Sequence, residues 1–171
     1  MGRGSPSGVV MTAAAAELLA RLQDRHGPVM FHQSGGCCDG SSPMCYPRGD
    51  FLVGDRDVLL GVLDAGPEGS GGVPVWISGP QYQAHYRGAR RTQLVIDVVP
   101  GRGGGFSLEA PEGVRFLSRG RVVTGAEEAL LRATPVITGA DYERGERPPV
   151  CGRVVALDEA AASQTCSPGP R

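Results

Sequence analysis

Lysine and asparagine do not occur in this 171-residue chain, and all 17 basic side chains are arginine. The pattern resembles codon drift in a GC-rich bacterial genome, yet a chemical exclusion follows from it. Without a lysine amine the polypeptide forms no lysine Schiff base, which rules out pyridoxal-dependent and Schiff-base aldolase chemistry on this chain. An excess of either charge is also missing, since 17 basic against 18 acidic residues leave a formal net charge of -1. No global field draws the molecule to nucleic acid or to an anionic membrane, and neither is expected as a partner.

Long apolar runs are missing as well. The stretch at 9–16 is broken at once by Glu17 and Arg21, and no run approaches the roughly 18 apolar residues of a membrane span. It reads as a helix rather than a signal peptide, so a cytoplasmic, reducing location is expected. There, five cysteines serve more readily as metal ligands, reactive thiols or small buried groups than as disulfides, and the odd count agrees. No Gly-x-Gly-x-x-Gly follows a strand and opens a helix, so no nucleotide cofactor is expected.

What is present is a short-period, glycine-punctuated pattern, which predicts one α+β, mainly β domain at 12–133. Thr12 caps a helix running to about Arg25, with Leu18, Leu19 and Leu22 as its apolar stripe and Gly27-Pro28 as its stop. Short β-type runs follow at 29–31, 51–53, 58–63, 73–78, 81–86, 92–99, 106–109 and 114–117. Gly and Pro separate nearly all of them, which predicts an antiparallel meander closing into a small barrel or sandwich with the helix packed on it. Residues 126–133 suggest a second short helix. Residues 1–11 read as a flexible extension and 134–171 as a mostly disordered tail, so trimming both should leave a folded domain.

The chemistry concentrates in His32-Gln33-Ser34-Gly35-Gly36-Cys37-Cys38-Asp39-Gly40-Ser41-Ser42-Pro43-Met44-Cys45. Thiolates with an imidazole suit Zn²⁺ or Fe²⁺, and glycines let a backbone fold several donors round one ion, so His32, Cys37, Cys38 and Cys45 are the candidate metal ligands. As the runner-up reading, Cys37 or Cys38 is a nucleophile whose pKa His32 lowers. Buried packing is the third reading of these thiols. The spacing is neither a zinc ribbon nor a C-x-x-C redox pair.

Elsewhere the readings are mostly structural. Gly101-Arg102-Gly103-Gly104-Gly105 lacks the ending of a phosphate-binding loop and reads as a hairpin. Arg87, Arg90 and Arg91 read as a solvated cluster, His85 as a half-buried strand histidine and His26 as a helix C-terminal cap. Asp97 sits among apolar neighbours and is expected to face solvent, with orientation of a ligating histidine as the alternative.

The segment from His32 to Cys45 resembles the signature of a bacterial family catalogued as domain of unknown function seven-seven-nine. The likeness runs from about Thr12 to about Glu128 and takes in the block Gln93-Leu94-Val95-Ile96-Asp97-Val98-Val99-Pro100. Members are commonly encoded beside aldehyde dehydrogenases, so the resemblance implies an accessory role near aldehyde metabolism, with such a dehydrogenase as a partner. The chain is too short to be that dehydrogenase itself. Exposed strand edges make a homodimer plausible.

Overall fold

The computed structural model describes residues 7–33, 42–66, 71–86, 92–102, 105–148 and 150–155. In chain order they form β1 (Val9–Thr12), α1 (Ala13–His26), β2 (Val29–Gln33), β3 (Met44–Pro47), β4 (Val58–Leu63), β5 (Val73–Ile77), α2 (Gly79–His85) and β6 (Thr92–Pro100). A 3-10 turn (Ala110–Glu112) precedes β7 (Val114–Val122), α3 (Gly125–Ala133), β8 (Ile137–Thr138), α4 (Gly139–Glu143), β9 (Val150–Gly152) and β10 (Val154–Val155).

These strands build a sandwich. One sheet has the order β10-β1-β6-β7, the other β3-β2-β5-β4-β8, with β9 also paired to β4. The expected meander is corrected in one respect: β1 runs parallel to both β6 and β10, β2 parallel to β5, and β4 parallel to β9. Between the sheets lies the main core, where Val9 and Met11 of β1, Leu94 and Ile96 of β6 and Phe116 of β7 meet Phe31, Val75, Ile77 and Leu63 of the second sheet. Phe31 and Phe116 pack edge to face at 4.8 Å, the arrangement that aromatic quadrupoles favour. Leu18, Leu19 and Leu22 add the buried stripe of α1 to the same core. Met30, Leu59, Val62, Trp76 and Ile137 form a second cluster on the outer face of the β2-containing sheet.

The helix capped by Thr12 is as the sequence predicts: the Thr12 side chain accepts the Ala15 N–H, and Gly27 ends the helix at φ 77°. Residues 125–133 are helical as well. Three expected strands are not strands. Residues 81–86 lie in and just after α2, where Ser78 accepts the Gln81 N–H and Pro80 occupies the first turn. Residues 51–53 and 106–109 are loop and turn.

The boundary expected at 11/12 falls inside β1, and the one at 133/134 falls at the end of α3, ahead of the paired strands β8, β9 and β10. Val9 and Met11 are almost wholly buried, because β1 is an inner strand between β6 and β10. The 134–155 stretch supplies β8 and β9 to one sheet and β10 to the other. Where 7–8 passes 60–61 the two backbones nearly touch: a Cβ on Gly8 would lie 2.4 Å from the Leu60 carbonyl oxygen, and one on Gly61 2.5 Å from the Ser7 hydroxyl. Only glycine fits there. Among the described residues no helix is long and apolar enough to cross a membrane.

Candidate functional site

β2 carries the chain from the core to the cysteine-rich segment, and its alternation sorts the candidate residues. Antiparallel pairing sets Phe31 opposite Cys45 and His32 opposite Met44. Successive side chains on a strand point to opposite faces, so Cys45 shares the inner face with Phe31, while His32 shares the outer face with Met30. The clusters agree: Cys45 lies in the main core with Phe31 and Phe116, whereas the His32 ring lies 4.4 Å from the ring of Phe51, itself stacked on Tyr46 at 4.8 Å.

This placement corrects the ligand set inferred from the sequence, because His32 and Cys45 cannot turn to one ion through the sheet that separates them. Cys37 and Cys38 lie outside the described residues. Among the described residues no group of three or more His, Cys, Asp or Glu side chains could hold a metal ion.

Cys45 is also chemically withdrawn. Burial, reinforced by the nearby Glu109 carboxyl, pushes its thiol far up from the ordinary value, so it keeps its proton and is a poor nucleophile or ligand. Glu109 is itself fully buried. Ser107 donates its hydroxyl to Oε2, and the Phe116 N–H donates to Oε1 at 3.3 Å. Burial still pushes this carboxyl up despite those bonds. Ser107 in turn accepts the Cys45 N–H at 2.9 Å, and the Leu108 N–H donates to the Cys45 carbonyl at 3.0 Å. This group pins the 106–109 turn along the edge of β3.

His32 is differently equipped. Its imidazole is 4% exposed, and Nε2 lies 2.9 Å from Oδ2 of Asp57. A carboxylate accepts, so Nε2 is the donor in this pair, and the bond fixes the ring plane. Asp57 was missed in the sequence, where it sits in an Asp-Arg-Asp turn that reads as solvated loop. The turn is built to hold it. Oδ2 also accepts the Gly54 N–H at 2.9 Å, and the Asp57 N–H donates to the Gly54 carbonyl at 3.0 Å. From the far side α4 docks on the same turn, with the Gly139 N–H donating to the Asp57 carbonyl at 2.8 Å. A Cβ on Gly139 would lie 2.0 Å from the Gly54 oxygen.

At the end of β2, Gln33 accepts a hydrogen bond from the Ser118 hydroxyl at 2.8 Å. Both residues are buried. This bond crosses from one sheet to the other and fixes the last residue before the segment that begins at Ser34.

The remaining candidates divide. Asp97, expected in solvent, is 4% exposed. It accepts hydrogen bonds from Thr12 Oγ1 at 2.9 Å, the Val98 N–H at 2.8 Å and Arg119 Nε at 2.8 Å. Burial alone would raise its carboxyl, but these donors outweigh it and hold the group below the usual carboxylate range. Asp97 therefore does not orient His32; the two lie on different sheets. The His85 side chain, Arg87, Arg90, Arg91, the Cys151 side chain and Cys166 lie outside the described residues. The glycine-rich 101–105 stretch belongs to the connection between the antiparallel pair β6 and β7, with residues 103–104 outside the description.

Comparison with curated proteins and with solved structures gives no match. A family model does match, over residues 18–122, the stretch that holds His32, Asp57, Asp97 and Glu109 as well as the three cysteines from Cys37 to Cys45. The chain belongs to the family described as Domain of unknown function (DUF779).

Proposed function

We propose that the protein is a small thiol-dependent accessory of aldehyde metabolism. Cys37 or Cys38 adds to an electrophilic carbonyl, and His32, oriented by Asp57, moves the proton. The observation that carries this reading is the partly buried His32–Asp57 hydrogen bond, on the strand that leads within a few residues to both thiols. A nucleophile with an adjacent base, itself oriented by a third group, is the general arrangement of nucleophilic catalysis.

The step balances without an oxidant. The thiol gives its proton to His32, the sulfur forms a bond to the carbonyl carbon, and the displaced π pair on oxygen takes the proton back to give a hemithioacetal. The resemblance noted above, to a family encoded beside aldehyde dehydrogenases, makes an aldehyde the carbonyl class to test and such a dehydrogenase the partner that would receive the adduct.

The same hydrogen bond favours one further reading, since a metal-ligating histidine almost always gives its other ring nitrogen to a carboxylate or carbonyl. His32, Cys37 and Cys38 would then hold zinc or iron, without Cys45. Alkylation by iodoacetamide, mapped by mass spectrometry across pH, separates the two. The thiol reading expects one of Cys37 and Cys38 to react fast near neutral pH, to slow at least tenfold in His32→Gln and Asp57→Asn, and Cys45 to stay unmodified in the folded protein. Reaction no faster than a free thiol, or unchanged by both variants, overturns it. Stoichiometric zinc or iron in protein purified without a polyhistidine tag replaces it with the metal reading.

A further inference from the structure

A cavity lies on the opposite sheet from His32. Three strands of the first sheet run parallel, β1 with β6 on one side and β10 on the other. The cavity, of about 480 Å³, opens where they end, lined by Thr12, Asp97, Val99, Arg119 and Val155 and by the first two residues of α1, Ala13 and Ala14. Thr12 is the last residue of β1 and Val155 the last of β10. Carboxyl ends of parallel strands are where open α/β sheets bind their ligands. The volume is within the range of small-molecule sites.

The polar groups in this cavity are arranged around one cation. Asp97 is buried on a strand position flanked by Ile96 and Val98, and it faces away from the main core, since Leu94 and Ile96 occupy the inner face. Core packing therefore gives no reason for it. What it does is hold Arg119. Oδ1 is fixed by the Thr12 hydroxyl and the Val98 N–H, leaving Oδ2 to accept Arg119 Nε at 2.8 Å. Thr12 is locked in turn, because its hydroxyl oxygen also accepts the Ala15 N–H.

Anchoring through Nε leaves the outer fork of the guanidinium, Nη1 and Nη2, with no other partner among the described residues. That fork matches the two oxygens of a carboxylate. Arg119 keeps about a third of its side chain exposed, so the fork is reachable. The rest of the lining is short and aliphatic, which admits a narrow apolar tail and offers nothing to a sugar or a base.

We propose that this cavity binds a small aliphatic carboxylate, its carboxyl group on the outer fork of Arg119 and its chain between Ala13, Ala14, Val99 and Val155. Asp97 and Thr12 do not touch the ligand; they position Arg119. Because Asp97 offsets the cation, the head group contributes a geometric bidentate match rather than a net charge, and the aliphatic contact is needed for affinity.

The test is titration of the full-length ¹⁵N-labelled protein with butyrate and hexanoate, against butanol and inorganic phosphate. Saturable shifts of the amides of Ala13, Ala14, Val98 and Val99 are expected for the two acids, larger in affinity for hexanoate. Arg119→Gln should weaken binding at least tenfold. Folding of each variant is checked by its thermal melt, and Arg119→Lys, which keeps the charge but not the fork, should bind as weakly as Arg119→Gln. No saturable shifts at these amides, equal binding of butanol, equal binding of phosphate, or full affinity in folded Arg119→Gln would each overturn the assignment.

Discussion

Ending the chain at Ala133 should destroy the cooperative fold, although residues 134–155 look polar and proline-broken. The cut removes β8, α4, β9 and β10. With them go Ile137 and Val155, each 8% exposed, and burying two aliphatic side chains stabilises a fold by roughly 3–6 kcal/mol at about 1.5–3 each. Tyr142, which meets Trp76 edge to face at 5.3 Å, adds about 0.5–1.5 kcal/mol. Backbone pairing of β4 with β8 and β9 and of β1 with β10 is lost besides. Against a total stability of about 5–15 kcal/mol, that loss removes most of the margin. Urea denaturation followed by tryptophan fluorescence is the assay, since Trp76 is the sole tryptophan and lies in the cluster that loses Ile137. A chain ending at Val155 should keep a sharp transition that the chain ending at Ala133 lacks. Equal midpoints and equal slopes for the two would refute the reasoning and return 134–155 to the status of a tail.

Two other perturbations test the supports of the site. Burial raises the Glu109 carboxyl in the folded state, so its contribution to stability is full below the unfolded value of about 4.3 and is lost as pH rises through the folded value; Glu109→Gln should flatten that loss in calorimetric melts and gain on the parent as pH increases, and a deficit that grows with pH would contradict it. Gly139→Ala forces a Cβ against the Gly54 carbonyl and should cost about 1–3 kcal/mol while shifting the ring resonances of His32 through Asp57, whereas unchanged imidazole signals would disconnect α4 from the site.

Much of the fold is legible in the sequence where a local signal is strong. Thr12, the leucine stripe and Gly27-Pro28 specify α1 almost to the residue, and the apolar runs at 58–63, 73–77 and 92–99 are strands. The strand expected at 81–86 is α2 because a competing signal was stronger. Ser78-Gly79-Pro80 is a helix start, and Tyr82 and Tyr86 stack one turn apart at 6.3 Å, a spacing that alternation can imitate over six residues. Pairing is the part that local pattern does not carry. Nothing near Val9 announces that it lies beside Leu94 and next to the strand at 154–155, and the short β8, β9 and β10 have too few residues to show a period.

The site divides along the same line. His32 is visible as a lone imidazole in a glycine-rich setting, but its partner Asp57 is 25 residues on in a turn whose charge reads as solvation. Cys45 looks like a fourth donor until the register of β2 and β3 is known, since one residue of register decides which face it takes. Asp97 was the opposite case: a polar residue in an apolar run signals either exposure or a buried network, and only the positions of Thr12 and Arg119 tell which.

The inner position of β1 governs when the chain can fold. Its neighbours β6 and β10 begin more than eighty and about one hundred and forty residues later, so β1 waits for partners far downstream. Contacts of such long range make folding slow, and until residue 155 has emerged the apolar run Val9-Val10-Met11 has only one of its two edges to pair. The nascent chain therefore carries an unpaired apolar strand until both of those distant segments have emerged, the kind of segment that chaperones exist to cover.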